Sequence, residues 1–428
     1  MIFDSIYLLF FLLMTLQGIF NMYLTLYAWE DPDRLDEVAS PKEFAYPKVS
    51  FTVLLPARHE EKVIGETIKS IVGANYPKHL IQTLVICSAD DTGTIGVAER
   101  AIRSLDAINS EVVVYSAEPI NKPHGLNEGL KRAANQVVVI FDAEDEIDPD
   151  IFNVANTLYL QKKPDVIQAG VQLMNYDSQW FSSHNVLEYF FWFKSRMHYH
   201  TEVGVVPLGG NTVFFKTAQL RAVGGWNEQC LTEDAEIGIR LSTRGARILS
   251  TYDPRHVTKE ETPDSVAQFI KQRTRWNQGF LQVLKYGDWK NYDSRLKRLL
   301  CFYTLSFPVV QAALLALTPI AIVFGLLGKL PVTLSLLSYL PVLIVLISLV
   351  ISWLAMHEFI ADQKLEKKHS VYLRMVLTFL PYQVLLGIAA FRASVREIRG
   401  QNNWEKTAHS GLHRIETEIA TANLDVAS

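Results

Sequence analysis

The chain has 428 residues, 49% of them hydrophobic and 20% charged. That length implies more than one folding unit, and the composition excludes a disordered or collagen-like chain. A net charge of −4 leaves no basic footprint for nucleic acid, and the separated Cys87, Cys230 and Cys301 exclude a disulfide framework or structural zinc and suit a reducing compartment.

Residues 5–28 carry no charge and are long enough, as a helix, to cross a bilayer core of about 30 Å. Asp4 stands where a cleavable leader would be basic, and Tyr27 and Trp29 suit an interfacial belt. The reading is an uncleaved span over 1–30 and a linker over 31–48. From 49 onward, strand patterns at 49–57, 81–89, 111–117 and 136–145 alternate with helical patterns at 61–74, 95–104 and 124–134. That order predicts an α/β fold with a parallel sheet covered on both faces, whose ligands sit at the carboxyl ends of the strands. Glu60, Asp90, Asp91, Asp142, Glu144 and Asp145 all fall there. Neither GxGxxG nor GxxxxGK[ST] is present, so no dinucleotide fingerprint or P-loop cradles a phosphate. Acids at strand ends suggest instead a divalent cation, Mg²⁺ or Mn²⁺, bridging a diphosphate.

The middle α/β domain, 49–268, is followed by an amphipathic interfacial segment over 269–298 and a membrane region over 299–391. The membrane region holds three apolar stretches, 299–328, 331–356 and 371–391. Lys364, Lys367 and Lys368 place the loop between the last two in the cytosol, and Lys329 suits the far side. If all three cross, the tail at 392–428 lies across the membrane from the middle domain. Yet that tail opens with Arg392, Arg396 and Arg399, which favour the cytosol. One stretch is therefore expected to be re-entrant or interfacial, and 299–328, interrupted by Pro308 and Pro319, is the candidate. Residues 400–409 are polar enough to fold back under the middle domain, and 411–428 read as a loose end.

Pro56-Ala57-Arg58-His59-Glu60, Asp90-Asp91, Lys122 with Gly125-Leu126-Asn127, Asp142-Ala143-Glu144-Asp145, Thr232-Glu233-Asp234 and Gln272-Arg273-Thr274-Arg275-Trp276 occur in the order of a family 2 glycosyltransferase. They resemble the membrane-embedded cellulose and hyaluronan synthase branch, with its D, DxD, TED and QxxRW motifs, over 49–290. The resemblance implies a GT-A-like (Rossmann-like) catalytic domain with transmembrane helices at both ends, in a multi-pass cell-membrane protein whose catalytic domain is cytoplasmic. It implies inverting transfer from a nucleotide sugar, a UDP-sugar, to a glycan. It further implies donor contacts from Ala57, Arg58, Glu60, Asp90, Asp91, Lys122 and Asp142, and Asp234 as the base. Gly210, Asn211, Glu233, Gln272, Arg275 and Trp276 would bind acceptor and diphosphate. Asp142 would hold the metal with Glu144 or Asp145; the chain reads DAED rather than DxD, which leaves the second ligand open.

QxxRW accompanies processive synthesis in that branch, so a growing glycan is the favoured acceptor, with a homo-oligomer or accessory export subunit to complete a pore. Transfer of one sugar to a lipid or small acceptor is the alternative. A transporter or receptor would need ionisable residues inside the spans, which carry almost none. Plainer roles stand beside these. DDTG is good turn chemistry, acids favour first helical turns, Asp145 can cap a helix, Trp276 can simply pack, and His256 reads as structural.

Overall fold

The computed structural model describes residues 2–403 and 405, apart from Lys329, so the expectations for Lys329 and for 406–428 lie outside the described residues. Helix α1 (Ile2–Glu30) is followed by α2 (Pro32–Val38), then by β1 (Phe51–Ala57), α3 (Ile64–Val72), β2 (Ile81–Ser88), α4 (Thr92–Ser104), β3 (Ser110–Tyr115), α5 (Lys122–Arg132) and β4 (Val137–Ile140). The alternation read from the sequence is therefore present. The second half is less regular: α6 (Ile151–Lys162), β5 (Val166–Ala169), β6 (Val171–Leu173), α7 (Ser182–Phe191), a π-helical turn at Trp192–Arg196, α8 (Met197–Val203), β7 (Val213–Lys216), α9 (Thr217–Ala222), α10 (Glu233–Thr243), β8 (Ile248–Thr251) and β9 (Thr258–Glu260).

The main sheet has seven strands in the order β3-β2-β1-β4-β7-β5-β8. β1 to β4 are parallel as expected, but β7 runs antiparallel to both β4 and β5, which corrects the expectation of a wholly parallel sheet. The reversal has a use. Val213 pairs with Ile140, so β7 enters at the carboxyl end of β4 and delivers the preceding Gly209–Thr212 loop to the edge where Asp142 stands. Alternation along β1 sends Phe51, Val53 and Leu55 into one core and Leu54 into the other. Both faces are covered, and the strands' carboxyl edge is left for ligands. Cys87, Cys230 and Cys301 are free and buried.

The remaining helices are α11 (Val266–Tyr286), α12 (Arg295–Leu327), α13 (Val332–Leu337), α14 (Leu340–Asp362) and α15 (His369–Ile398). Four helical stretches, Asp4–Glu30, Arg295–Leu327, Val332–Asp362 and His369–Ile398, are long and apolar enough to cross a membrane. Pro308 and Pro319 lie inside one continuous α12, so the stretch expected to be broken is not. Each proline forfeits one backbone bond, and neither ends the helix.

α15 is the helix that differs. Its most apolar window is 39% buried, against 11% or less for the other three. Near its start Arg374 pairs with Asp177 at 2.6 Å, at its middle Tyr382 donates to Glu188 at 2.6 Å, and near its end Arg396 donates to Gln278 at 2.9 Å. It is thus tied along its length to the catalytic domain and α11. The described tail follows it back, with Gln278 donating to the Gln401 carbonyl at 2.8 Å and Gln282 to Asn402 at 3.2 Å.

Candidate active site

A cleft of about 780 Å³ runs along the carboxyl edge of β1 and β4, past the Gly209–Asn211 loop, and on between α7 and α11 to α12 and α15. Ala57, Arg58, Glu60, Lys122, Asp142, Glu144, Gly210, Asn211, Glu233, Asp234, Gln272, Arg275 and Trp276 all line it. Asp90, Asp91 and Asp145 do not.

At the donor end, Arg58 reaches Asp90 at 3.4 Å on the surface and donates to the Ile120 carbonyl at 3.3 Å. The Ser88 hydroxyl and then Arg58 hold the Asp90 carboxyl below its ordinary value. Asp91 turns inward. It caps α4 by accepting from Thr94 N–H at 3.2 Å, and it accepts from His59 N–H at 2.6 Å. Burial raises its pKa, but these amides outweigh that and leave it low. Of the adjacent pair, only Asp90 remains at the rim of the site.

Asn121 caps α5 by accepting from His124 N–H at 2.9 Å, which fixes Lys122 in the first turn. Its ammonium sits 2.5 Å from Asp142 Oδ1 and 3.5 Å from the Gly210 carbonyl. Burial works against that charge, but Asp142 and Glu233 more than restore it.

The DAED segment folds as a turn, with Asp145 N–H donating to the Asp142 carbonyl at 3.2 Å. The Asp145 carboxylate points back into the protein, accepting from Asp142 N–H at 2.7 Å and from the Asn211 amide at 2.8 Å. Burial, then Glu260, Asp142 and Glu144, push it well above the usual carboxylate range. Asp145 is therefore the brace of the turn, and Asp142 and Glu144 are the pair that faces the cleft. Asn211 also lines the cleft, but its amide is committed to Asp145 and Glu260.

Two hard carboxylates suit Mg²⁺ or Mn²⁺, and magnesium in particular is commonly held by one or two protein carboxylates with substrate phosphates completing the shell. Among the described residues no tight three-ligand group stands here; the groups that could form one lie elsewhere, as at His59, Glu61 and Asp91. A cation shared with a diphosphate also relieves the repulsion that raises Asp145. The residues present thus fit the ion. His256 lies outside the cleft, packed edge-on to Phe44.

Asp234 opens α10, and its Oδ1 accepts from Ala235 N–H at 2.7 Å. Its other oxygen faces Gly210, where φ is +75° and any Cβ would meet Asp234 Oδ2 directly. Only glycine satisfies both the backbone and the space there. Burial raises Asp234 above its ordinary value, and burial with the neighbouring Asp234 charge pushes Glu233 up to about 7.

α11 presents Gln272, Arg275 and Trp276 on one face by i, i+3, i+4 spacing. Burial lowers Arg275, while Glu233, Asp142 and Asp234 favour its charge, so the guanidinium answers the acids of the cleft. Arg273 also lines the cleft, where it is ion-paired with Glu188 at 2.5 Å and lies over Trp276 at 4.4 Å. Trp276 also packs near Tyr189, with ring centroids 6.2 Å apart.

Several positioning residues were not read from the sequence. Gln168 on β5 accepts from Gly209 N–H at 2.8 Å and donates to the Asn211 carbonyl at 2.9 Å, pinning the glycine loop. Asn127 accepts from Trp226 N–H at 2.9 Å and so holds the approach to Thr232. A Cβ at Gly279 would collide with the Thr232 side chain, so α11 seats against the Thr232–Asp234 segment at its one bare position there. Gln282 accepts from Leu231 N–H at 2.9 Å beside it. Asn127 belongs to the motif quoted above; Gln168 on its strand, and Gly279 and Gln282 within α11, fall in no motif.

The edge of the sheet that carries this chemistry, reached by a reversed β7, defines the class: a transferase of GT-A architecture joined to membrane helices. The model for "Glycosyltransferase like family 2" matches residues 47–279, and the chain belongs to that family. It is 25% identical over 384 residues to a beta-monoglucosyldiacylglycerol synthase of Nostoc sp., covering 84% of this chain and 76% of that protein. It is 26% identical over 248 residues to the probable glycosyltransferase YdaM of Bacillus subtilis, covering 54% of this chain and 55% of that protein. A poly-beta-1,6-N-acetyl-D-glucosamine synthase of Staphylococcus epidermidis is 25% identical over 261 residues, 60% of each chain. The chain thus spans little more than half the length of several curated relatives. Among solved structures, a Pyrobaculum calidifontis mannosyltransferase in complex with GDP-Man and Mn²⁺ superposes with a TM-score of 0.60 at 16% identity, over 91% of this chain and 99% of that one, a likeness of fold.

Proposed function

We propose that this glycosyltransferase moves one hexosyl unit from a nucleotide sugar to a hydroxyl of a lipid or lipid-linked acceptor, with inversion at C1. The observation that carries this reading is a single cleft shared by Asp142 and Asp234, one end at the sheet's ligand edge and the other between membrane helices. The Asp234 carboxylate takes the acceptor proton as the acceptor oxygen bonds to C1, and the C1–oxygen bond to the diphosphate breaks on the opposite face. Burial makes Asp234 a stronger base than a free aspartate. Lys122 and Arg275 face the charge that grows on the departing diphosphate. Asp142 and Glu144 would hold the divalent cation, which when bound neutralises that diphosphate. Asp90 and Arg58 at the rim meet the nucleoside, a uridine by family resemblance; the GDP-Man of the solved relative makes guanosine the base to test against it.

For orientation, α1, α12 and α14 cross the membrane and α15 lies in its interface. With the domain placed after α1, the two crossings of α12 and α14 return the chain to its side. They keep Lys364, Lys367, Lys368 and Arg392, Arg396, Arg399 on that side, the cytosolic one. The ties of α15 to Asp177 and Gln278 support this.

The lipid acceptor is favoured by Phe193, Phe307 and Leu386 at the membrane end of the cleft, and by the match over most of the chain to a glycolipid synthase. A processive glycan is the second reading, supported by Trp276 in the cleft and by the poly-N-acetylglucosamine relative. The apolar windows of α12 and α14 are each only 6% buried, so one copy encloses no pore and a polymer needs a second copy or an accessory subunit. The test is purified protein in lipid nanodiscs with labelled UDP- and GDP-hexoses, Mg²⁺ or Mn²⁺, and lipid acceptors. The expected product is organic-extractable and carries one sugar. A long water-soluble polymer overturns the acceptor reading, and no sugar transfer from any donor overturns the whole.

A further inference from the structure

The membrane end of the cleft contains a cation that the reaction above does not use. Arg196, on the π-helical turn between α7 and α8, lines the cleft. One side-chain partner is Thr25 of α1, whose hydroxyl accepts from the guanidinium at 2.9 Å. Among the described residues no carboxylate lies within ion-pair reach of it. The acid whose charge reaches it, Glu188, is already committed to Arg273 at 2.5 Å. The side chain is half-buried; a guanidinium partly withdrawn from water without a counter-ion is costly, and such a site is completed by an anion.

Its depth says which kind. Thr25 lies near the end of the apolar run of α1, two residues before Tyr27 and four before Trp29, and Tyr303, which stands near Arg196, lies in the early turns of α12. Both mark the headgroup layer. From there the cleft continues one way past Phe193, which packs on Gly209 beside the Asp234 loop, and the other way to Phe307, Gln311 and Leu386 on the membrane helices. A molecule filling it has its reacting hydroxyl at Asp234, negative charge at headgroup depth and apolar chain beyond.

We propose that the acceptor is an anionic lipid whose headgroup phosphate is bound by Arg196 while a separate hydroxyl of the same headgroup is presented to Asp234. This rests on the lipid-acceptor reading and narrows it. The anion is placed away from Asp142, so it is not the diphosphate of the donor.

The test uses the full chain in nanodiscs, with a polyprenyl-diphosphate-linked N-acetylglucosamine and phosphatidylinositol as phosphate-bearing acceptors and an alkyl glucoside and diacylglycerol as neutral ones. The expected result is transfer to a phosphate-bearing lipid. Arg196→Gln raises the acceptor KM roughly 10- to 100-fold, the loss of a hydrogen bond to a charged group, without a matching rise in donor KM. Arg196→Lys recovers much of it. Thr25→Val removes the hydrogen bond to α1 but keeps the charge, and it leaves the acceptor KM in place. Should Thr25→Val reproduce the Arg196→Gln defect, the residue is only structural and the inference fails. A rise in donor KM equal to that for acceptor assigns Arg196 to the donor and also overturns it. Efficient use of the neutral lipids, unaffected by Arg196→Gln, overturns it while leaving lipid glycosylation standing. No transfer to any lipid overturns both. Inorganic phosphate, added as competitor, is expected to be weak; competition matching that of the lipid would make the site one for free phosphate.

Discussion

Around Ala57, Arg58 and Asp90 the cleft is rimmed by loops that follow parallel strands, and its side chains are held by local, partly exposed pairs. Around Asp234 and Arg275 it is walled by helices, and the reacting groups are buried behind contacts that join distant parts of the chain. The first half is a standard ligand edge of an α/β sheet. The second is an assembly of α10, α11, α15 and the tail. On the proposed function, chemistry that needs a displaced pKa falls in the second, buried half, and nucleotide recognition falls in the first, more exposed one.

The largest effect expected from breaking the contrast is at Asp234. Asp234→Asn keeps the shape of the site and removes the base, so kcat falls roughly 10²- to 10⁴-fold. Nucleotide binding, followed by titration of the labelled donor, survives. Asp142→Asn instead couples the loss of turnover to a changed Mg²⁺ or Mn²⁺ titration, and an unchanged titration would remove Asp142 from the metal site.

The helical half should also set the pH profile. The proposed base, Asp234, would work ionised, and both Asp234 and Glu233 are raised, Glu233 to about 7. Activity therefore falls as pH drops through the neutral region, with a midpoint that belongs to the pair. Glu233→Gln removes a neighbouring negative charge and moves that limb to lower pH, as kcat/KM against pH will record.

Gly279→Val sharpens the contrast through packing. Its side chain must displace Thr232, at a cost of about 1–3 kcal/mol in stability. The thermal midpoint falls, and acceptor turnover is lost more than donor affinity. The smallest effect separates neighbours in the donor half. Asp91→Ala removes the cap of α4 at a cost of about 0.5–2 kcal/mol and lowers the melting temperature. Asp90→Asn leaves stability alone and raises the donor KM.

The same division explains what could be read without coordinates. β1 to β4, their helices and the acids at their ends are local patterns, each a run of alternating or helical periodicity closed by polar residues. Asp90 against Asp91 was not decidable from sequence, because the choice depends on His59 N–H, which the fold brings to Asp91 from another loop. The second carboxylate of DAED was open for a similar reason. Asn211, far along the chain, holds Asp145 inward and leaves Glu144 to the cleft. The reversal of β7 carries no periodicity signal, since an antiparallel strand buried on both faces looks like a parallel one. Pro308 and Pro319 suggest breaks in 299–328, whereas two isolated prolines interrupt only their own backbone bonds.

α15 acts as a keel. One flank rests on the catalytic domain from Asp177 to Gln278, and the next residues along α11 seat Gly279 on Thr232, one position before Glu233 and Asp234. On the proposed orientation, a bilayer that grips this keel sets the tilt of the wall beside Asp234. Detergents that replace a flat headgroup layer with a curved one should be felt as lost turnover before they are felt as lost fold.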